Sequence, residues 1–131
     1  MIVLDASAAI DLLLELGPVA AWVEDRLAEE VVHAPSVIDL EVTSAMRKLV
    51  GRQVIELDRA ELALEDLVAM PLNRYPSTRL VDRIWALRAN LTPYDAAYVA
   101  LAEALDAPLL TTDARLARSA GHLATIESFP G

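Results

Sequence analysis

The chain has 131 residues, 55% of them hydrophobic, with four glycines and no cysteine. This composition predicts one packed domain, residues 1–131, and excludes a disordered chain, a disulfide framework and a cysteine metal site. The formal net charge of −9 argues against a protein that coats duplex nucleic acid, although bound divalent cations would neutralise part of the acid surplus.

No uncharged run approaches the ~18 residues that are needed to span a bilayer. We therefore expect no membrane association. The absence of cysteine makes a reducing cytoplasm the default location.

Short apolar runs alternate with amphipathic segments along the chain. Strands are predicted at residues 2–4, 31–34, 72–75, 108–110 and 124–126. Helices are predicted at residues 8–14, 18–29, 58–70, 77–90 and 113–119. Between the second and third of these ranges, a Ser36-x-x-Asp39 capping box predicts another helix that ends near Gly51. A further helix is predicted to begin at Thr92. This alternation predicts an α/β protein with a mostly parallel sheet covered on both faces.

Three aspartates stand where predicted elements begin or end. Asp5 follows the first strand and Asp113 the fourth, while Asp95 lies three residues into the helix that opens at Thr92. Ligands collect at such positions in α/β proteins. Each aspartate also has a purely structural explanation, because Asp is favoured as a helix cap and near a helix N-terminus.

Glu41 lies on the edge of the apolar face of its helix. That face is formed by Ile38, Val42, Ala45, Met46 and Leu49. No Lys or Arg follows Glu41 at three or four residues, so nothing local pairs with its carboxylate. A carboxylate that leans into a core needs a partner, and either a cation or a distant arginine would serve.

Taken together, four carboxylates that can converge suit Mg²⁺ or Mn²⁺, which prefer oxygen ligands and keep several waters. Such ions serve phosphoryl chemistry by activating water and stabilising the attacking and leaving oxygens. Lys48 and Arg52 continue the face of Glu41 and could guide a phosphate backbone or simply be solvated. The lone histidines His33 and His122 are predicted to be structural.

Four motifs resemble those of the PIN-domain ribonucleases, especially the VapC-type toxins of bacterial toxin–antitoxin pairs. They are IVLDAS at Asp5, EVTSAMRK at Glu41, YDAAYVALA at Asp95 and APLLTTD at Asp113. They occur in order and span essentially the whole chain. The resemblance implies a three-layer α/β/α sandwich and Mg²⁺- or Mn²⁺-dependent hydrolysis of RNA phosphodiesters.

The resemblance also assigns roles. Asp5, Glu41, Asp95 and Asp113 match the acidic quartet, with Asp5 and Asp95 as principal metal ligands and the other two as direct or water-mediated ligands. Ser7 and Thr111 match hydroxyls found near that quartet, and Thr112 accompanies them as a turn hydroxyl. Family members are usually homodimers silenced by a cognate antitoxin that can reach the site with a basic side chain.

The chain departs from the family at one place. Many relatives carry a further acid just after the last aspartate, where this chain has Ala114, Arg115 and Leu116. The resemblance therefore supplies no complete ligand set for a second metal.

We therefore predict a cytoplasmic, metal-dependent endoribonuclease toxin that binds RNA and a cognate antitoxin. The same quartet leaves two alternatives. One is another Mg²⁺-dependent phosphohydrolase or a DNA nuclease. The other is a non-catalytic binding module whose acids are only caps and paired charges.

Overall fold

The computed structural model describes residues 1–130 as one five-stranded sheet with helices on both sides. The strands are β1 (Ile2–Leu4), β2 (Val32–Pro35), β3 (Leu72–Tyr75), β4 (Leu109–Thr111) and β5 (Ile126–Ser128). Their order is β3-β2-β1-β4-β5, and every neighbouring pair is parallel. The predicted parallel sheet is confirmed, although β2, β4 and β5 begin one or two residues later than expected.

Seven α-helices connect the strands. They are α1 (Ala6–Leu13), α2 (Gly17–Leu27), α3 (Ile38–Gly51), α4 (Leu57–Ala69), α5 (Val81–Ala86), α6 (Pro93–Leu105) and α7 (Ala114–Ala117). Helix α1 packs against α2, α3 and α4, whereas α5 packs against α6. Because crossovers between parallel strands are right-handed, α1–α4 lie on one face and α5–α7 on the other. The three-layer α/β/α sandwich is confirmed.

The strand order reverses direction between β1 and β4. The chain first adds β2 and β3 on one side of β1, and then β4 and β5 on the other. The backbone N–H of Asp5 donates to the carbonyl of Leu110 at 3.0 Å, so the carboxyl ends of the two central strands meet. Ligands bind α/β sheets in the crevice beyond such a switch point, which is where Asp5 and Asp113 follow their strands.

Helix α6 covers the centre of the sheet. Its residues from Ala96 to Ala102 are all buried, and it packs against β1, β2 and β4. Four alanines in this run let the helix approach the sheet closely. A crossover helix runs back against the strands that it connects, so the first turn of α6, with Asp95, lies at the edge where the strands end.

The predicted capping box at the start of α3 is wrong. The N-cap residue is Val37, and no side chain caps this helix. Asp39 instead accepts two hydrogen bonds from Arg74 Nε, at 3.0 and 2.8 Å. This pair is charge-assisted, and the arginine that forms it lies on β3, far from α3 in the sequence.

The helix predicted at residues 77–90 is shorter than expected. A 3-10 turn at Thr78–Leu80 precedes α5, which ends at Ala86. Beyond it the backbone makes tighter bonds between residues three apart, such as Asn90 N–H to Leu87 O at 3.2 Å. Leu87 is still buried, so the predicted apolar spacing persists. The reason is that 3-10 and α-helical turns place such residues on nearly the same face.

Within residues 1–130, no single helix is both long enough and apolar enough to cross a membrane. Helices α1 and α2 together meet the criterion by length and composition alone, and they are bent by 113° at the break between them. Their buried residues, among them Ala8, Leu13 and Val23, belong to the core of the sandwich.

Candidate active site

Asp5 is a buried carboxylate held by two hydroxyl groups. Its side chain is at the N-cap position of α1 yet makes no capping hydrogen bond. Instead, Ser7 Oγ donates to Asp5 Oδ2, and Thr111 Oγ1 donates to the same oxygen at 2.8 Å. The interpretation of Asp5 as a side-chain helix cap is therefore wrong, and Oδ1 is left without a hydroxyl donor.

The hydroxyls of Ser7 and Thr111 also fix the loop after β4. The two oxygens lie 3.1 Å apart. The backbone N–H of Thr112 donates to Ser7 Oγ at 3.1 Å, and that of Asp113 donates to Thr111 Oγ1 at 3.0 Å. Thr112 thus contributes through its backbone. The network ties the carboxyl ends of β1 and β4 together across 104 to 106 residues of sequence.

Glu41 has a partner that the sequence did not suggest. Its half-buried carboxylate accepts a 2.6 Å hydrogen bond from the hydroxyl of Tyr98, whose side chain is fully buried. Burial, together with the neighbouring Glu41 carboxylate, holds the pKa of Tyr98 far above its usual value, so the phenol remains a donor. The predicted alternative of a distant arginine is wrong for the residues that the structure describes.

A sequence signal for Tyr98 does exist. It lies three residues after Asp95 on α6, so both side chains fall on neighbouring positions of one helix face. A tyrosine in a run of alanines and other apolar residues needs a partner for its hydroxyl, and that requirement could have linked α6 to α3.

Asp95 and Asp113 are joined by an arginine. Asp95 N–H donates to the capping hydroxyl of Thr92 at 3.2 Å, as predicted. Asp113 caps α7 by accepting from the backbone N–H of Arg115 at 2.9 Å and that of Leu116 at 3.4 Å. Arg115 Nη2 then lies 3.3 Å from Asp95 Oδ2 and 3.5 Å from Asp113 Oδ2. No role for this arginine is predicted from the sequence.

Asp5, Glu41 and Asp95 interact electrostatically, and Asp113 interacts with Asp95. Burial is the main cause that raises the pKa of Asp5, Glu41 and Asp95. The Asp95 charge also raises the pKa of Asp5, and both of these carboxylates raise that of Glu41. Asp113 raises the pKa of Asp95, while Arg115 lowers it. Like charges held together at this edge favour binding of a cation.

The donor chemistry fits a hard divalent cation with a water-rich shell. Within residues 1–130, no three Asp, Glu or His side chains are grouped closely enough to hold one metal ion together. Mg²⁺ usually binds one or two carboxylates and keeps several waters. Asp5, which is buried, and Asp95, whose charge raises the pKa of Asp5, are a candidate pair of carboxylate ligands for such an ion.

Clefts lie on two sides of the acids. One, of about 490 Å³, is lined by Glu41 and Lys48 together with apolar side chains of α3 and the exposed Tyr94. The other, of about 400 Å³, is lined by Asp95 and Arg115. Arg52, at the C-cap of α3, lines neither cleft, so the structure brings only Lys48 of the two predicted cations close to the acids.

Both histidines are hydrogen-bonded within the fold, in agreement with the structural role predicted for them. His33 Nδ1 lies 2.7 Å from the hydroxyl of Tyr75. His122 Nδ1 accepts from the backbone N–H of Ala124 at 3.2 Å, and its Nε2 lies 2.9 Å from Ser119 Oγ.

The fold and the position of the acids define an α/β/α protein with an acidic site at the switch point of a parallel sheet. The chain belongs to the PIN domain family, whose model matches residues 2–121. Within that family it is of the VapC type, and the resemblance seen in its motifs is confirmed.

Two relatives from Mycobacterium tuberculosis illustrate this. The chain is 46% identical over 127 residues to ribonuclease VapC12, covering 97% of this chain and 98% of that protein. It is also 46% identical over 120 residues to ribonuclease VapC1, covering 91% and 90%. A chain in the crystal structure of VapBC2 from Rickettsia felis bound to a DNA fragment from their promoter has a similar fold, with a TM-score of 0.69, 15% identity and 98% coverage of both chains.

The hydrogen bond from Tyr98 to Glu41 yields a testable prediction. Tyr98→Phe keeps the ring and removes only the donor. Because this bond lowers the pKa of Glu41 against the effect of burial, its loss should raise that pKa further and destabilise the protein at neutral pH by about 1–2 kcal/mol. Carboxyl ¹³C NMR titration and urea unfolding measure both effects. Tyr94→Phe, which changes an exposed tyrosine, is the control. An unchanged Glu41 pKa in Tyr98→Phe would contradict the assignment.

A second prediction concerns pH. The folded-state pKa of Glu41 is raised, so the native protein binds more protons than the unfolded chain above the ordinary carboxyl range, and stability falls as pH rises through that window. Glu41→Gln removes this loss while keeping an acceptor for Tyr98.

In metal-free buffer, urea unfolding should find Glu41→Gln more stable than wild type at pH 7.5, with the difference shrinking toward pH 4. The control, Glu61→Gln on the exposed face of α4, should change the free energy of unfolding by less than ~0.5 kcal/mol. An equal effect of Glu41→Gln at both pH values would show that the raised pKa is wrong.

Proposed function

We propose that this chain is a Mg²⁺- or Mn²⁺-dependent endoribonuclease that hydrolyses RNA phosphodiester bonds and acts as the toxin of a toxin–antitoxin pair. The observation that carries the proposal is the buried Asp5, which hydroxyls hold at the switch point within electrostatic range of Glu41 and Asp95. Relatives at 46% identity are named ribonucleases, which supports RNA as the substrate.

In this proposal Asp5 and Asp95 are the principal ligands of the cation, and Glu41 and Asp113 hold it directly or through water. When bound, such a cation lowers the pKa of water and stabilises the charge that develops on the phosphate. Positioning of the carboxylates and transfer of the proton are carried out by side chains of the protein.

Ser7 and Thr111 fix the orientation of Asp5, and Tyr98 fixes that of Glu41. A carboxylate accepts the proton of the attacking water. We do not assign the base to a single acid.

The partners follow from the same proposal. The Rickettsia structure is described as VapBC2 bound to promoter DNA, which supports a protein antitoxin as the partner of this chain. The acid site and the net charge of −9 favour an antitoxin segment that presents a basic side chain. A homodimer and a cytoplasmic location remain predictions.

Asp95→Asn tests the proposal directly. Asn can still occupy the first turn of α6 because Thr92, not Asp95, supplies the capping oxygen. We expect cleavage of a labelled single-stranded RNA to fall by at least about 100-fold, with an unchanged circular dichroism spectrum. Asp82→Asn, on the exposed side of α5, is the control and should cleave like wild type.

Substrate specificity is tested in the same assay. Wild type should cleave RNA in Mg²⁺ or Mn²⁺, and EDTA should abolish cleavage. Preferential cleavage of a DNA strand of the same sequence would favour the DNA nuclease alternative. Equal cleavage of RNA by Asp95→Asn and wild type would contradict the mechanism.

A further inference from the structure

Arg115 occupies an unusual position in the acid site. Its guanidinium contacts carboxylates from two different elements, Asp95 on α6 and Asp113 at the cap of α7. Its side chain is 73% exposed, whereas that of Asp95 is 19% exposed. An exposed arginine therefore lies beside a carboxylate that burial makes costly to ionise.

The guanidinium of Arg115 occupies one carboxylate oxygen of each of these two aspartates. Asp95 and Asp113 are each directed at the same guanidinium nitrogen, Nη2. A divalent cation that used these oxygens would have to displace Arg115. Exposed arginine–carboxylate contacts of this length contribute little individually, so the displacement costs little.

An Arg115 side chain released from the two aspartates would still border a cleft. The cleft of about 400 Å³ is lined by Asp95, Arg115 and Arg118, and Thr92 also borders it. Within residues 1–130, Arg118 makes no ion pair, in contrast to Arg26, Arg74 and Arg83, which pair with carboxylates of this chain. Two guanidinium groups on one wall of a cleft suit a phosphate group.

We propose that Arg115 is a built-in counter-cation of the acid site, which yields Asp95 and Asp113 to a divalent cation and then, with Arg118, binds a backbone phosphate of the RNA strand in the adjoining cleft. Loading of the cation and binding of the strand are thereby coupled through one side chain. The inference rests on the proposed function, since it takes RNA as the strand and Mg²⁺ or Mn²⁺ as the cation.

The first experiment is a calorimetric titration of the full chain with Mn²⁺ at low ionic strength. Arg115→Ala should bind Mn²⁺ about two- to tenfold more tightly than wild type, because no competing guanidinium remains. Arg118→Ala should bind Mn²⁺ like wild type, since Arg118 contacts none of the acids. Arg115→Lys keeps the charge but not the forked geometry, so its affinity for Mn²⁺ should lie between that of Arg115→Ala and that of wild type.

The second experiment measures binding of a fluorescein-labelled 20-nucleotide RNA with cleavage-resistant phosphorothioate linkages, which keep the backbone charge and are checked to be intact after each titration. With Mn²⁺ present, Arg115→Ala and Arg118→Ala should each weaken binding and lower the slope of log affinity against log salt by about one. Without Mn²⁺, Arg118→Ala should still weaken binding. Arg115→Ala should then have little effect, because its guanidinium is held by the acids.

The outcomes are separable. Unchanged or weaker Mn²⁺ binding by Arg115→Ala, or an equal loss of RNA affinity with and without Mn²⁺, would overturn the role of Arg115 while leaving the proposed function intact. A wild-type chain that binds no Mn²⁺ would overturn both.

Discussion

The hydrogen bond from Thr111 to Asp5 is the contact on which the rest of the site depends. It joins the ends of β1 and β4, the two strands between which the sheet changes direction. Ser7 reinforces it, and the backbone of the following loop is bound to the same two hydroxyls. With the β4 loop fixed in this way, Asp113 begins α7 at a defined point beside the first turn of α6. The buried carboxylate of Asp5, which needs hydrogen-bond donors, thus also holds the neighbouring loop in position.

This arrangement has an electrostatic cost. Burial and mutual repulsion raise the pKa values of Asp5, Glu41 and Asp95, so each is less stable when ionised than an exposed carboxylate. Three kinds of donor offset the cost: hydroxyls at Asp5, a phenol at Glu41 and a guanidinium at Asp95. None of these donors removes the accumulated negative charge except Arg115. Under the proposed function a bound cation would offset this repulsion, in keeping with functional sites that trade stability for activity.

Much of this could be predicted from the sequence. Local patterns determine the parallel sheet and most helix bounds, and the positions of Asp5 and Asp113 after strands placed them at one edge. The predictions that failed concern contacts between residues far apart in the sequence. Asp39 pairs with Arg74 from β3, and Glu41 meets Tyr98, 57 residues away. Such partners depend on which faces of α3 and α6 come together, and hydrophobic periodicity does not encode that. Arg115 was missed because an arginine two residues after a helix cap is typical of any solvent-exposed helix.

The most direct test of the central claim is the location of a bound cation. Crystals soaked in Mn²⁺ and measured at the manganese absorption edge would reveal it by anomalous scattering. We predict a peak between the carboxylates of Asp5 and Asp95, with the Arg115 side chain withdrawn from Asp95 toward Arg118. A peak elsewhere on the molecule, or none at millimolar Mn²⁺ in well-diffracting crystals, would contradict the assignment of these acids as a metal-dependent active site.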